Sequence, residues 1–380
     1  MRMQMHLKPI LLVKIILVII LLAQWNLARG QNIVLKPENG VQDHTRYLPM
    51  IVRPREWVKL ISNLPADWIR DIAINPSSPH EILIALRDNG IFKSSDRGRS
   101  WRAVYSFGQT SSPSARIIAF APSDPNIVYA GVINKVIRSD DRGETWTSVW
   151  PAGIAGGGWG LAVDPVDPNH VFVGINAELH YNIYETIDGG QNWTPKNLVI
   201  GDQEGIISVA ISPEILDQVF AGANTDVSTN PKITRLYRSN DGGENWTLVR
   251  NGFPNSKRIT SLTFNICSPD QLFVTRQRHG QVDDYIRWTD DAGLTWNIVP
   301  LTDDDLGISP LSPCPIFTAM HRSMDNGLTW QDISMNFYTL MPDPENVRFT
   351  TWAPDPWNNI LWVGTREHGL YYLGGVVPTR

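Results

Sequence analysis

Cysteines and basic runs are both scarce in this sequence, and each scarcity excludes a class of protein. The 380-residue chain has two cysteines, so it is not a disulfide-dense small scaffold. Its eight histidines are scattered, and no Cys/His spacing indicates a zinc site. No long run of Lys and Arg follows the N-terminus, and the formal net charge is −5, which argues against a nucleic-acid partner. We therefore expect no metal, no cofactor and no nucleic acid.

Residues 1–30 have the composition of an export signal. Arg2 and Lys8 precede an apolar stretch over residues 9–23, and Ala28-Arg29-Gly30 supplies small residues for cleavage. The alternative is a retained anchor, in which residues 9–23 tether the protein to a membrane, although this run is shorter than the roughly 20 residues that span a bilayer comfortably. Either interpretation exports the body, to the extracellular space or the cell surface.

The rest of the chain divides into a linker, a folded body and a short tail. Residues 31–55 lack periodicity and predict the linker, residues 56–375 carry the repeats described next, and residues 376–380 form the tail. An exported compartment permits a disulfide between Cys267 and Cys314, and two thiols buried in strands are the alternative.

One octapeptide recurs six times in the folded body: a small hydroxyl residue, any residue, Asp, any residue, Gly, two further residues and Trp. The octapeptides begin at Ser94, Ser139, Thr186, Ser239, Thr289 and Ser323. Their aspartates, glycines and tryptophans are Asp96, Gly98, Trp101, Asp141, Gly143, Trp146, Asp188, Gly190, Trp193, Asp241, Gly243, Trp246, Asp291, Gly293, Trp296, Asp325, Gly327 and Trp330. The Asp accepts backbone hydrogen bonds in an Asx-type turn, the Gly supplies a positive φ, and the Trp covers the hairpin.

The spacing of the octapeptides predicts an all-β propeller. Their tryptophans are 45, 47, 53, 50 and 34 residues apart, and a period near 45–50 fits one four-stranded blade. The short last interval predicts a degenerate sixth blade among seven, and six blades with an insertion is the alternative. A strand over residues 56–60 lacks its octapeptide, while residues 347–373 offer three strands with none after them. We therefore expect the N-terminal strand to complete the C-terminal blade and to close the ring.

The octapeptide resembles the Asp-box, or bacterial neuraminidase repeat, of sialidases, xyloglucanase-like glycosidases, sortilin-type receptors and photosystem II assembly-factor propellers. The resemblance covers roughly residues 56–375. It implies a β-propeller whose boxes lie on outer turns and serve the fold, rather than aspartates that catalyse a reaction or bind calcium. Because families with unrelated activities share the motif, it says little about function. Two matches to the N-glycosylation pattern, at Asn192 and Asn245, enclose box tryptophans and are interpreted as coincidence.

Candidate ligand-binding residues come from aligning the inner strands of the blades. This alignment puts Arg70, Arg116 and Arg348 at one position, which Trp159 occupies in the third blade. Three guanidiniums and an indole at one mouth of the channel fit a carboxylate, a sulfated glycan or an acidic peptide. The alternative is that each arginine bonds loop carbonyls of a neighbouring blade. A glycine run over residues 156–158 permits close approach of a ligand or forms only a flexible loop.

Three functions fit these features. The first is an exported, non-catalytic and monomeric propeller that binds a protein or a glycan. The second is a glycoside hydrolase of the sialidase or xyloglucanase type, which needs two opposed carboxyl groups. The sequence contains no Arg-Ile-Pro segment of the sialidase kind, and no catalytic residue can be assigned. The third is an assembly factor for a membrane complex. We expect the first.

Overall fold

The apolar stretches between turn residues form strands, and these strands group into seven four-stranded antiparallel sheets. The computed structural model describes residues 56–60, 62–107, 114–152, 154, 156, 158–175, 183–196, 198, 204–215, 217–225, 234–249, 259–276, 286–299, 301, 306–308, 315–318, 320–334, 336–340, 349–355 and 360–374. The predicted export signal, linker and tail lie outside these residues, so their boundaries stay predictions. No helix in the described ranges is long and apolar enough to cross a membrane.

Each sheet is one blade; in blades 1 to 6 the strands follow the order of the chain from the inside outwards, and in blade 7 the outermost strand is β1. Blades 1 to 3 are β2 (Ile69–Ile74), β3 (Ile82–Leu86), β4 (Gly90–Ser94) and β5 (Arg102–Tyr105); β6 (Ala115–Phe120), β7 (Val128–Val132), β8 (Lys135–Ser139) and β9 (Thr147–Ser148); and β10 (Gly160–Val163), β11 (Val171–Gly174), β12 (Ile183–Thr186) and β13 (Thr194–Pro195). Blades 4 and 5 are β14 (Glu204–Ile211), β15 (Val219–Thr225), β16 (Thr234–Ser239) and β17 (Thr247–Leu248); and β18 (Ile259–Asn265), β19 (Ser268–Arg276), β20 (Ile286–Thr289) and β21 (Asn297–Val299). Blades 6 and 7 are β22 (Leu306–Ile308), β23 (Ile316–Thr318), β24 (His321–Ser323) and β25 (Gln331–Asp332); and β26 (Phe349–Pro354), β27 (Leu361–Thr365), β28 (Leu370–Gly374) and β1 (Glu56–Lys59).

The seven blades form a closed ring, which confirms the predicted fold. The first strand of each blade contacts the first strand of the next, and β26 of blade 7 returns to β2 of blade 1. The six-blade alternative is wrong, because β22–β25 form a sheet of their own with strands of only two or three residues. Blade 6 is degenerate in strand length, as the short tryptophan interval predicts.

The core of the ring lies between neighbouring blades. Second strands such as β3 and β7 are buried along their whole length, since each blade is covered on both faces. This is why they read as continuous apolar runs. The cluster that joins blades 1 and 2 combines Leu83 and Ile91 with Ile118 and Val128.

The N-terminal strand closes the ring as predicted. Strand β1 pairs antiparallel with β28, so Trp57 faces Leu373 in the register. The Trp57 side chain is 1% exposed, and its Nε1 donates to the carbonyl oxygen of Ile333 at 2.8 Å. Asn336 bonds both the N–H and the carbonyl of Trp57, just before the short helix α1 (Phe337–Leu340). Blade 7 has no octapeptide before its outer strand, and this contact from the preceding segment holds that strand instead.

The six octapeptides form the turns between the third and fourth strands of blades 1 to 6. In every turn the first hydroxyl oxygen accepts the Gly N–H at 2.7–2.9 Å. The Asp carboxylate accepts the backbone N–H of the residue before the Trp at 2.8–2.9 Å. The side chain of that same residue donates to the second carboxylate oxygen at 2.5–2.8 Å. The aspartates therefore act as hydrogen-bond acceptors that hold the turn.

Two consecutive residues of each octapeptide adopt a positive φ. The predicted positive φ of the Gly is observed, for example 83° at Gly143. The residue before it also lies in the left-handed region, although in four turns it is not glycine: Arg97, Arg142, Ala292 and Asn326 have φ of 58° to 60°. Such residues resist this conformation, so the hydrogen bonds of the turn must offset a cost of about 1 kcal/mol.

Successive turns place the octapeptides on one face of the ring. In blades 1 to 4 the residue before the octapeptide Gly donates its N–H to the turn between the first and second strands, as Arg97 does to His80 at 3.0 Å. We call the surface formed by these two kinds of turn the octapeptide face. The first strands begin, and the second strands end, at the opposite face.

Cys267, on the octapeptide face, is disulfide-bonded, and Cys314 is the other cysteine of the sequence.

Candidate ligand-binding mouth of the central channel

The first strands of blades 1 to 5 and 7 enclose a cavity of about 570 Å³ on the axis of the ring. Arg70, Arg116 and Trp159, which the sequence analysis singles out, all line it. They lie at the starts of the first strands, on the face opposite the octapeptides. The octapeptide aspartates belong to outer turns and do not line the cavity.

A β-bulge sets the position of both arginines. The register of β2 against β3 shifts between Ile69 and Asp71, so Arg70 is the extra residue of the strand. The same shift in β6 makes Arg116 the extra residue of blade 2. A bulge bends its strand and redirects a side chain, and here it accompanies side chains that reach into the cavity.

The register corrects the alignment in blade 7. There the shift falls between Phe349 and Thr351, so Thr350, rather than Arg348, is equivalent to Arg70. The Asp355 N–H bonds Ile360, as the Asn75 N–H of blade 1 bonds Glu81, which confirms this register. The segment Ala-Pro-Asp-Pro has prolines at 354 and 356. The sequence alignment used Pro354 as the end of the strand, whereas Pro356 is the equivalent of Pro76, so the alignment was shifted by two residues. Arg348 itself lies outside the described residues.

Arg70 is stacked on an indole and surrounded by other cations. Its guanidinium carbon lies 3.6 Å from the centroid of the Trp68 ring, and those of Arg366 and Arg87 lie 4.5 Å and 5.2 Å from the same ring. Burial, followed by the charges of Arg87 and Arg366, lowers the pKa of Arg70 to about 10. Three guanidiniums therefore surround one indole, and the carboxylates of Asp67 and Asp88 offset part of their charge.

Arg116 repeats this arrangement in the neighbouring blades. Its guanidinium carbon lies 3.4 Å from the centroid of the Trp159 ring. Burial, followed by the charge of Arg70, lowers the pKa of Arg116 to about 10. The two guanidiniums therefore repel each other across the boundary between blades 1 and 2. We call Trp68, Arg70, Arg87, Arg116, Trp159 and Arg366 the arginine mouth.

The two central arginines lack acidic partners. Within the described part of the chain, neither Arg70 nor Arg116 forms an ion pair, and the buried Nε atom of each has no hydrogen-bond acceptor. The two peripheral arginines have only long, exposed contacts: Arg87 with Asp88 and Arg366 with Glu367, both at 3.6 Å. Unpaired guanidiniums in a half-buried site favour an anionic ligand.

Asp71 is the one acidic side chain among the described residues that line the cavity. Its carboxylate accepts the N–H groups of Ile72 and Ile118 at 2.9 and 2.8 Å and the hydroxyl of Thr351 at 3.1 Å. It thereby links blades 7, 1 and 2 at the closure of the ring. Burial raises the pKa of Asp71 to about 6, against the effect of these hydrogen bonds. The carboxylate holds the ring together, and all three bonds are to the protein itself.

Trp159 is held in place by a contact between two glycine backbones. A Cβ on Gly131 would lie 2.2 Å from the carbonyl oxygen of Gly158, and one on Gly158 would lie 2.3 Å from the Cα of Gly131. Gly158 also has a φ of 48°. The glycine of this run that directly precedes Trp159 is therefore needed for packing of blade 3 against blade 2. The interpretation as an approach route for a ligand does not apply to Gly158.

Sequence reasoning missed Trp68, Arg87 and Arg366. Trp68 precedes Arg70 by two residues, and a Trp-x-Arg signal was available there. Arg87 and Arg366 follow the second strands of blades 1 and 7, which only the ring closure brings together. No group of three His, Cys, Asp or Glu side chains in the described ranges could hold a metal ion.

The comparisons with known proteins show the fold and give one partial sequence match. No family model matches the chain. A segment of 90 residues is 33% identical to the photosystem II assembly lipoprotein Ycf48 of Synechococcus sp. (strain CC9902), and the match covers 23% of each chain. The relative is thus matched over less than a quarter of its length.

Solved structures share the propeller at low sequence identity. A structure of YCF48 bound to a D1 peptide is 16% identical with a TM-score of 0.56, covering 85% of this chain and 98% of that one. YCF48 from Cyanidioschyzon merolae is 15% identical with a TM-score of 0.57, covering 84% and 98%. The GH74 xyloglucanase of Xanthomonas campestris is 15% identical with a TM-score of 0.59. The match covers 84% of this chain but only 53% of the enzyme, so the chain spans about half of the enzyme's length. At these sequence identities the likeness shows the β-propeller fold alone and does not assign an activity.

Proposed function

We propose that this protein is an exported, non-catalytic β-propeller that binds an acidic segment of a partner protein at the arginine mouth. The observation that carries the proposal is the pair of arginines stacked on indoles, Arg70 on Trp68 and Arg116 on Trp159, without an acidic partner in the described structure. Stacking fixes each guanidinium plane and leaves its edge free to bond a carboxylate.

A protein ligand is favoured over a glycan by the comparison with YCF48, whose structure holds a D1 peptide. The partial sequence match to an assembly lipoprotein supports the more specific role of an assembly factor for a membrane complex. We further propose that residues 1–30 export the chain, that it acts as a monomer, and that its six octapeptide turns are Asp-boxes.

The test is peptide binding by the full chain, measured by fluorescence anisotropy. The probe is a labelled peptide rich in Asp and Glu, and its control is the same peptide with Asn and Gln. We expect binding of the acidic peptide alone, with an affinity that falls as salt increases. We expect Arg70→Ala and Arg116→Ala each to weaken binding about tenfold or more, because a stacked charge-assisted contact is lost.

Two further variants make this experiment specific. Arg142→Ala removes the same charge from the octapeptide face and should leave the affinity unchanged. Arg348→Ala tests the sequence prediction for that residue, which the structure does not describe. Equal affinity of wild type, Arg70→Ala and Arg116→Ala for the acidic peptide would reject the arginine mouth as the binding site.

The glycoside hydrolase alternative has no comparable support. Two carboxyl groups roughly 5–10 Å apart in the channel would favour it. The described lining of the cavity contributes one carboxylate, Asp71, whose oxygens already accept three hydrogen bonds. Release of reducing sugar from xyloglucan, abolished by Asp71→Asn, would reverse this preference.

A further inference from the structure

A second surface lies on the octapeptide face, opposite the arginine mouth, and one of its residues, Ile266, also lines the channel cavity. Of the nine large hydrophobic residues that are exposed in the described structure, seven lie on turns of this face in the contiguous blades 3 to 6. They are Val166, Ile187, Ile215, Ile266, Leu294, Met324 and Leu328. Single exposed apolar residues are ordinary, but a row of them on one arc of one face is typical of an interaction surface. We call these seven side chains the apolar arc.

The arc projects at the tips of the turns. Val166, Ile187 and Leu328 are 80%, 70% and 71% exposed, and Leu294 is 61% exposed. Ile187 occupies the second position of its octapeptide, while Leu294 and Leu328 directly follow the octapeptide Gly. None of these positions contributes a side chain to the hydrogen bonds of the turn. The fold does not require an apolar residue at any of them.

The same chain shows that polar residues serve equally well there. The second octapeptide position is Ser95 in blade 1 and Asn240 in blade 4, and the position after the Gly is Gln191 in blade 3. The position of Val166 is Ser77 in blade 1 and Ser123 in blade 2. Blades 1 and 2 thus present a polar version of the same turns. The apolar side chains are specific to the arc.

The charges around the arc are of one sign. Apart from the aspartates that hold the octapeptide turns, the exposed ionisable residues on the described turns and strand ends of blades 3 to 6 on this face are all acidic: Asp167, Glu214, Asp217, Glu244, Asp270 and Asp290. The cations nearby are turned inwards, since Lys196 is buried and paired with Glu185 and Glu244, and Arg238 donates to the carbonyl oxygen of Ala292. The surface is therefore apolar at its tips and negative between them.

We infer that the apolar arc binds a polypeptide segment that carries both large apolar side chains and Lys or Arg. Apolar side chains of the partner cover the exposed tips, and its cations lie against the acidic residues between the tips. The negative charge disfavours an anionic membrane as the occupant. This surface lies on the opposite face from the arginine mouth, so one molecule can hold two partners of opposite charge.

The test uses three synthetic peptides of equal length: one of Leu and Lys, one of Leu and Glu, and one of Ser and Lys. The full chain is titrated into each labelled peptide, and anisotropy gives the affinity. We expect the Leu/Lys peptide to bind at least about tenfold more tightly than either other peptide, since it alone matches both features of the surface.

The apolar variant takes its substitutions from equivalent turns of the same chain: Val166→Ser, Ile187→Ser, Leu294→Gln and Leu328→Gln together. It should weaken Leu/Lys binding about tenfold or more without changing net charge. The matched control, Ser95→Ala with Ser123→Ala, alters the same kinds of turn in blades 1 and 2 and should bind as wild type does. Because the new residues already occupy equivalent turns, we expect the variant to fold, which a thermal melt checks.

A charge variant, Glu214→Ser with Asp290→Asn, should weaken binding and reduce its salt dependence. Unchanged Leu/Lys affinity in the apolar variant would overturn the inference, as would equal binding of the Ser/Lys peptide by wild type. Binding to zwitterionic lipid vesicles that is lost in the apolar variant, with no peptide binding, would instead assign the arc to a lipid surface. Arg70→Ala should leave Leu/Lys binding intact, which separates this surface from the proposed function.

Discussion

The octapeptide aspartates on one face of the ring and the arginines at the mouth on the other are bonded in opposite ways. On the octapeptide face each turn aspartate accepts hydrogen bonds from backbone and side chain, as Asp291 does from Thr289, Leu294 and Thr295 at 2.5–3.0 Å. At the arginine mouth the guanidiniums of Arg70 and Arg116 are half-buried on indoles, and a buried nitrogen of each has no acceptor.

The difference separates charge that holds the fold from charge that is available to a ligand. A carboxylate that accepts several hydrogen bonds stabilises the turn around it and has little capacity left for another molecule. A desolvated guanidinium without a partner costs stability, and a carboxylate ligand would recover that cost on binding. Substitutions of the octapeptide aspartates and of the mouth arginines should therefore have opposite consequences for stability and for binding of the acidic peptide.

Asp71 is the strongest test, because it lies beside the mouth but resembles the octapeptide aspartates in its bonding. Asp71→Ala leaves two backbone N–H groups and the Thr351 hydroxyl without their acceptor. We expect a loss of about 3 kcal/mol in the free energy of unfolding. Urea denaturation measures it. Asp88→Ala, an exposed carboxylate of the same blade, should change stability by less than about 1 kcal/mol.

Asp291 and its neighbour Asp290 compare two carboxylates of one octapeptide. Asp291→Ala removes the acceptor that holds the turn, and we expect a loss of about 2 kcal/mol with unchanged binding of the acidic peptide. Asp290→Ala should be nearly neutral, since Asp290 is exposed. Equal melting temperatures for the two variants would show that the turn does not depend on its carboxylate.

The pH dependence of stability should show the two kinds of carboxylate separately. Hydrogen bonds from Thr295 and Thr289 outweigh partial burial and lower the pKa of Asp291 to about 2, from an ordinary value of 3.8. Its stabilising contribution is complete above pH 3.8 and is lost as the pH falls towards 2. Burial raises the pKa of Asp71 to about 6, so its contribution is complete below pH 3.8 and is lost as the pH rises through 6. Denaturation midpoints from pH 2 to 8 should rise and then fall, and Asp71→Asn should flatten the fall near pH 6.

The smallest expected change in stability is at Arg116. Arg116→Met keeps the apolar stem over Trp159 and removes the unpaired charge, so we expect the free energy of unfolding to equal that of wild type or to exceed it by up to about 1 kcal/mol. The same variant should lose affinity for the acidic peptide. A loss of stability as large as that of Asp291→Ala would show that Arg116 serves the fold.

The sequence predicted the ring because its information is local and repeated. Asp96, Gly98 and Trp101 specify a turn within eight residues, and six copies fix the blade period. The strand at Trp57 was recognisable because its sequence resembles the strands that follow an octapeptide. The missing octapeptide then indicated that it completes the last blade. These features depend on short-range hydrogen bonding and on covering a sheet edge, both of which leave a pattern in the sequence.

The site was predicted only in part, since it depends on bulges and on the closure of the ring. Strand alignment singled out Arg70, Arg116 and Trp159, but in blade 7 it was anchored on Pro354 instead of Pro356 and so chose Arg348 in place of Thr350. Arg366 and Arg87 meet only because blades 1 and 7 are neighbours. The exposure of Ile187 or Leu328 likewise depends on which way a turn projects, which the octapeptide does not specify.

The pairing of β1 with β28 has a consequence for synthesis. A growing chain presents Trp57 early and must wait for residues 361–374, about 300 residues further along, before that indole has a sheet to join. Blades 1 to 6 can each assemble from consecutive residues as they emerge, whereas the ring remains open until the strands of blade 7 have been made. Chains truncated before Leu361 should therefore keep at one end a tryptophan strand that has no sheet to join.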